Sequence, residues 1–174
     1  MKKILIVVDM QNDFVDGALG TKEAVSIIDN ACNKINSFNG DIFITLDTHE
    51  ENYLSTQEGK KLPVPHCIKG TNGWRLNNKI EKSLQGKNFT VIEKATFGSQ
   101  KLAETIKEKY KDDELSVELI GICTDICVIS NALTIRAYNT ECEITVDSSC
   151  CAGVTPESHS AALEVMKSCL INII

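Results

Sequence analysis

Apolar and polar positions along this chain follow a strand–helix rhythm. Ile4-Leu5-Ile6-Val7-Val8 is a continuous, largely β-branched apolar run, so Lys3 to Val8 predicts a strand buried on both faces of a parallel sheet. A polar loop from Asp9 to Gly20 follows. From about Thr21 to Phe38 the positions Ala24, Ile27, Ile28, Ala31, Ile35 and Phe38 keep helical spacing, and Asn39-Gly40 ends the helix. Asp41 to Leu46 is a second strand. Asp47 to Gly73 has no clear period, and a loop that long inside a compact domain is usually functional or disordered. It holds two of the three His residues, which favours the functional reading. A helix over roughly Trp74 to Leu84 leads to a third strand, Phe89 to Glu93. Ser99 to Tyr110 is amphipathic, with Leu102, Ala103, Ile106 and Tyr110 on one face. The fourth strand starts near Val117 and breaks at Gly121. The chain restarts near Thr124, whose hydroxyl is the expected N-cap of a helix running to about Tyr138. Cys142 to Val146 is a fifth strand. Thr155-Pro156 caps and opens a last helix, and Leu170 to Ile174 is a short sixth strand. Strands alternating with helices predict a parallel sheet with right-handed crossovers, in one three-layer α/β domain over 1–174.

Composition adds exclusions. The chain has 174 residues, 43% hydrophobic and 24% charged, which is enough for a substantial core. A net charge of -6, with no basic run, argues against nucleic acid or an anionic membrane as partner. The apolar run after Met1-Lys2-Lys3 stops at Asp9, too short for an export signal or a membrane span, so the reading is cytoplasmic. The eight Cys are scattered and form no zinc-ribbon spacing. Cys150 and Cys151 are adjacent, too close for an unstrained bridge. Most of the Cys, Cys67 included, read as buried thiols, with a redox role as the lesser alternative.

Candidate chemistry gathers at strand ends. Asp9 closes the first strand, Lys94 the third, and Cys127 falls in the first helical turn after the fourth. Singly, these read as a solvated loop carboxylate, an exposed strand end and a buried structural thiol. Together they form a nucleophile set. A thiol at a helix N-terminus is biased toward thiolate. Asp9 can take its proton, and Lys94 can hold developing charge and orient Asp9. Backbone N–H groups of Cys123 and Cys127 can stabilise a tetrahedral oxyanion. Separately, Asp47-Thr48-His49 and His66 offer one carboxylate and two imidazoles, a donor set suited to zinc, iron or manganese with positions left open.

With its Val8-Asp9-Met10-Gln11-Asn12-Asp13-Phe14 opening and its Gly121-Ile122-Cys123-Thr124-Asp125-Ile126-Cys127-Val128 turn, the chain resembles the isochorismatase-like cysteine hydrolases. Within that superfamily it looks most like the nicotinamidases, over nearly its whole length. The resemblance implies a six-stranded, mainly parallel sheet of order 3-2-1-4-5-6, with its topological switch between strands one and four, where ligands bind. It implies Asp9, Lys94 and Cys127 as catalytic residues, a cis Ile122–Cys123 peptide, and a divalent metal on Asp47, His49 and His66 that meets a pyridine nitrogen. The implied reaction is nicotinamide to nicotinate and ammonia through a thioester, feeding NAD salvage. Relatives are often dimers or tetramers, so a homo-oligomer is an expectation by association only. Three departures stand out: no further His near Ser55, Leu62 and Pro63 where a ring-stacking aromatic is often found, and Ile126 before Cys127. Phe14, Trp74 and Phe97 are the candidates to line the pocket instead. Two other readings stay open: a carbamoyl or ureido amide hydrolase that needs no metal, and a non-enzymatic thiol redox protein on the same fold.

Overall fold

Six parallel strands form one sheet in the order β3-β2-β1-β4-β5-β6. This is the expected order, and the computed structural model describes all residues, 1–174. In chain order the elements are β1 (Lys2–Val8), α1 (Asn12–Val15), α2 (Lys22–Ser26), α3 (Ile28–Ser37) and β2 (Asp41–Asp47), then a 3₁₀ turn, Tyr53–Ser55, and α4 (Gln57–Lys61). There follow α5 (Asn78–Ser83), β3 (Phe89–Lys94), α6 (Gln100–Lys109) and β4 (Leu115–Ile122). A π-turn, Thr124–Val128, leads into α7 (Ile129–Tyr138), and β5 (Glu143–Ala152), α8 (Pro156–Ser168) and β6 (Asn172–Ile173) close the chain.

The continuous apolar run of β1 has a simple cause: its side chains feed two cores. Ile4, Ile6 and Val8 pack on one face with Leu102 and Ile106 of α6, Ile135 of α7 and Met166 of α8. Leu5 and Val7 pack on the other with Phe14, Ile28, Ile35 and Ile80. Successive strand residues point to opposite faces, so a central strand covered on both sides needs no polar alternation. At the sheet edge Phe89 and Val91 of β3 stay exposed.

Several expected elements differ in extent. The helix over Thr21 to Phe38 is two helices broken at Ile27; its Thr21 cap holds, with the hydroxyl accepting from the Ala24 N–H at 3.0 Å. The helix expected from Trp74 is α5 alone, because Asn12, Asp13 and Asn77 pair their N–H groups across with Arg75, Gly73 and Met10 carbonyls and hold 72–77 as a turn leading to a bridge at Leu76. β5 runs on to Ala152, so Cys150 and Cys151 are consecutive strand residues, buried in opposite cores. That placement gives no support to a redox pair. The Thr155 cap and Pro156 start stand as expected, with a full capping box. No helix is long and apolar enough to cross a membrane.

β4 does not break at Gly121 as expected but runs on to Ile122, with a register shift against β5 between Leu119 and Gly121. The φ of Gly121 is +130°, and a Cβ there would lie 2.1 Å from the Val8 carbonyl oxygen on the neighbouring strand. Gly121→Ala should therefore lower stability by about 3 kcal/mol or more, combining backbone strain with overpacking. Denaturant unfolding of wild type and variant checks this; equal midpoints would show that the β1–β4 contact relaxes freely.

Candidate active site and metal centre

The C-terminal ends of four adjacent strands meet at one point. Asp9 follows β1, Asp47 ends β2, Lys94 ends β3, and Cys127 lies on the π-turn after β4. Asp9 is fully buried, and its φ of +49° is unusual for a residue other than glycine. The Thr45 hydroxyl donates to Asp9 Oδ1 at 2.6 Å. Lys94 stands opposite Asp47 in the β2–β3 register, and its stem crosses β2 to put Nζ 2.6 Å from Asp9 Oδ2. The same ammonium lies 3.2 Å from Asp47 Oδ1 and 3.5 Å from Cys127 Sγ. Asp9 Oδ2 has this ion pair but no aligned hydrogen-bond donor.

Charge states follow from this geometry. Burial works against the Lys94 ammonium, but Asp9, Cys127 and Asp47 outweigh it and hold Lys94 well above its ordinary value. Burial is also the largest influence on Asp9 and leaves its carboxyl above the usual carboxylate range, although Lys94 pulls it down. Burial and then the Asp9 carboxylate push the Cys127 thiol well up, against the pull of Lys94. Desolvation in this closed, acid-flanked site thus works against the thiolate that the helix N-terminus favours, so a base beside Cys127 matters.

The turn carrying Cys127 also differs locally from the expected form. It is a single π-turn, closed by Val128 N–H donating to the Cys123 carbonyl at 3.0 Å, and such turns recur at functional sites. Thr124 does not cap it; its hydroxyl lies 2.8 Å from His159 Nδ1 on α8. The Ile122–Cys123 peptide is cis, as expected. Asn131, buried in α7, donates to the carbonyls of Cys127 at 2.8 Å and Phe97 at 3.1 Å. The sequence reading passed over Asn131, although an Asn four residues after Cys127, on a helix face shared with Ala132 and Ile135, was a visible signal.

The expected metal ligands also converge. Donor atoms of Asp47, His49 and His66 lie within 4.8 Å of one another, all in buried residues. His66 Nδ1 donates to the Val64 carbonyl at 2.8 Å, which orients the ring with Nε2 facing Asp47 Oδ2 at 3.6 Å. His49 Nε2 is buried without a hydrogen-bond partner; it is 3.0 Å from Asp47 Oδ2 but not aligned with it. Burial opposes ionisation of Asp47, yet the two imidazoles and Lys94 hold its carboxyl well below the usual range. An ionised carboxylate beside two inward imidazole nitrogens, one orphaned, fits a divalent ion. Glu58 of α4 was missed: its Oε1 lies 3.7 Å from Nε2 of both His49 and His66. No spacing in the sequence pointed to it.

A cavity of about 250 Å³ joins the two sets; Asp47, His66 and Cys127 line it together with Phe14, Phe97 and Ile126. Cys123 lines it as well, while Leu62 takes a place on the wall where a stacking aromatic was absent from the sequence. Trp74 does not line it, contrary to expectation. Its indole N–H donates to the Thr48 hydroxyl at 2.9 Å and its ring packs against the second core, because the 72–77 segment is paired to the β1–α1 loop.

The sequence profile of the isochorismatase domain matches residues 3–174. An isochorismatase family protein of Bacillus subtilis (strain 168), PncA, is 34% identical over 174 residues, covering 94% of this chain and 93% of that protein. The crystal structure of a pyrazinamidase/nicotinamidase from Streptococcus mutans UA159 superposes with a TM-score of 0.84 at 31% identity, over 99% of this chain and 100% of that one. That of a Pyrococcus horikoshii pyrazinamidase in complex with zinc superposes at 0.82 with 29% identity, over 100% and 99%.

Proposed function

This chain belongs to the isochorismatase domain family, and from that premise we propose that it is a metal-containing cysteine amidohydrolase converting nicotinamide to nicotinate and ammonia. The observation that carries the proposal is the single cavity shared by Cys127 and the Asp47 and His66 donors, with Lys94 touching Asp9, Asp47 and Cys127. Amide hydrolysis itself goes with membership among these nicotinamidase-like hydrolases.

In this reading Asp9 takes the Cys127 proton as the sulfur attacks the carboxamide carbon, and Lys94 holds Asp9 in place. The oxyanion is held by the backbone N–H groups of Cys123 and Cys127. Asp9 then passes its proton to the leaving nitrogen, ammonia departs, and a thioester remains on Cys127. A water deprotonated by Asp9 hydrolyses it to the carboxylate. Asp47, His49 and His66 would hold a divalent ion, which when bound would supply Lewis-acid binding for a ring nitrogen of the substrate. Zinc is the ion proposed, matching the zinc complex of the Pyrococcus horikoshii relative, with iron and manganese as the other ions suited to these donors. The product would enter NAD salvage.

Ammonia release from nicotinamide by purified protein tests the proposal. Release from carbamoyl amides but not from nicotinamide would replace the substrate; release from neither would remove the hydrolase reading. His66 serves orientation rather than bond making, so His66→Ala should raise KM by at least about tenfold and change kcat less. Benzamide, without the ring nitrogen, should be a poor substrate before and after metal removal. Steady-state kinetics of both proteins on both amides check this; an unchanged KM in His66→Ala would leave His66 as an ordinary loop residue.

A further inference from the structure

Two polar residues of the Asp9-to-Phe14 stretch, Gln11 and Asp13, take no part in the chemistry above, yet each is tied to a metal-ligand segment. Gln11 is fully buried. Its Oε1 accepts the Asp47 N–H at 2.8 Å and its Nε2 donates back to the Asp47 carbonyl at 2.8 Å. The same Nε2 donates to the Trp74 carbonyl at 2.8 Å. Both main-chain groups of one ligand are thus gripped by one side chain, 36 residues away in sequence.

Asp13 acts on the other side of the site. Its Oδ2 accepts the Cys67 N–H at 2.8 Å, in the residue directly after His66. Cys67 has φ +46°, a left-handed conformation that is unfavourable for an L-residue other than glycine and needs support. The carbonyl of Cys67 accepts the His49 N–H at 3.0 Å, so the peptide units flanking Cys67 link Asp13 to both imidazole ligands. Space for the Asp13 carboxylate exists because residue 73 is glycine: a Cβ there would lie 2.0 Å from Asp13 Oδ2. Phe14, next along, packs its ring 5.4 Å from that of His66.

We infer that Gln11 and Asp13 are positioning residues of the metal centre, Gln11 setting Asp47 and Asp13 setting His66 and His49. The loop that carries the base Asp9 therefore also holds all three ligands, and binding of the ion depends on side chains that never touch it. This rests on the metal reading given under the proposed function. Partners that orient ligands in this way typically account for about 10–100-fold in metal affinity.

The test is the zinc dissociation constant of the full chain, measured by competition with a chromogenic chelator. Gln11→Met keeps length and removes the amide; Asp13→Ala removes the acceptor for Cys67, and Asp13→Asn keeps one. Gln11→Met and Asp13→Ala should raise the constant about 10–100-fold, with Asp13→Asn recovering most of the loss. KM for nicotinamide should rise in the same order. Folded variants that bind zinc as wild type does would overturn the inference and leave both residues as loop ties. Should Gln11→Met fail to fold, the two Asp13 variants decide: equal affinity in Asp13→Ala and wild type overturns it. A wild-type chain that takes up no zinc overturns the metal reading itself, and that result is seen before any variant is made.

Discussion

Cys127→Ala should lose nicotinamide hydrolysis by at least about 10⁴-fold in kcat, the scale on which removal of a covalent nucleophile acts. Cys127 is the thiol that lines the cavity within reach of the Lys94 ammonium, 3.5 Å from Nζ. The substitution removes one sulfur from a nearly closed site and leaves Lys94 with Asp9 and Asp47, so the fold should persist. Cys150→Ala and Cys151→Ala provide the contrast. Both thiols sit in core clusters on β5, and burial pushes Cys150 up to about 11. Their loss should cost some stability through small cavities and leave kcat nearly unchanged. Single-turnover and steady-state assays on folded protein read all three. Retention of most activity in Cys127→Ala would end the nucleophile assignment. A collapse of kcat in a folded Cys151→Ala would move it elsewhere.

Asp9→Asn should lower kcat by about 10²–10⁴-fold with a smaller change in KM. Burial and the Asp9 carboxylate both disfavour the Cys127 thiolate, so attack needs a group that accepts its proton, and the amide of Asn cannot. Shape is largely kept, since Asn Oδ1 can still accept from the Thr45 hydroxyl. The substitution also removes one of the two carboxylates that compensate the buried Lys94, and breaking such a pair commonly costs about 3–5 kcal/mol. Stability and turnover must therefore be measured on the same preparation, with kcat taken at a temperature where the variant is fully folded. A folded Asp9→Asn protein with near-normal kcat would mean that another group is the base.

Much of the fold was legible because the local patterns agree with it. β1 is apolar without alternation because it feeds cores on both faces, and Thr155-Pro156 reads as a helix start because the cap acts within one turn. The placement of Asp9, Lys94 and Cys127 at strand ends was legible for the same reason: each lies where an apolar run stops. Extents were harder. The start of the helix expected from Trp74 is instead a turn and a bridge tied to the Met10–Asp13 stretch, and that contact is invisible to periodicity.

The sequence by itself determined the alternation of strands and helices and pointed to Asp9, Lys94 and Cys127, since each lies where an apolar run stops; the strand order and the Asp47, His49 and His66 donor set came with the family resemblance. Only the tertiary structure decided how they meet. Lys94 joins what read as two sites, because parallel pairing sets it opposite Asp47 and its stem spans β2 to Asp9. Burial beside a carboxylate works against the Cys127 thiolate, a property of the closed site rather than of its helix. Trp74 left the pocket, and Glu58, Asn131 and Gln11 entered the argument, through contacts between distant segments. Gln11 meets Asp47 across 36 residues and Trp74 across 63. Such pairings arise when buried polar groups must find partners in three dimensions, and no linear spacing encodes which partner is found.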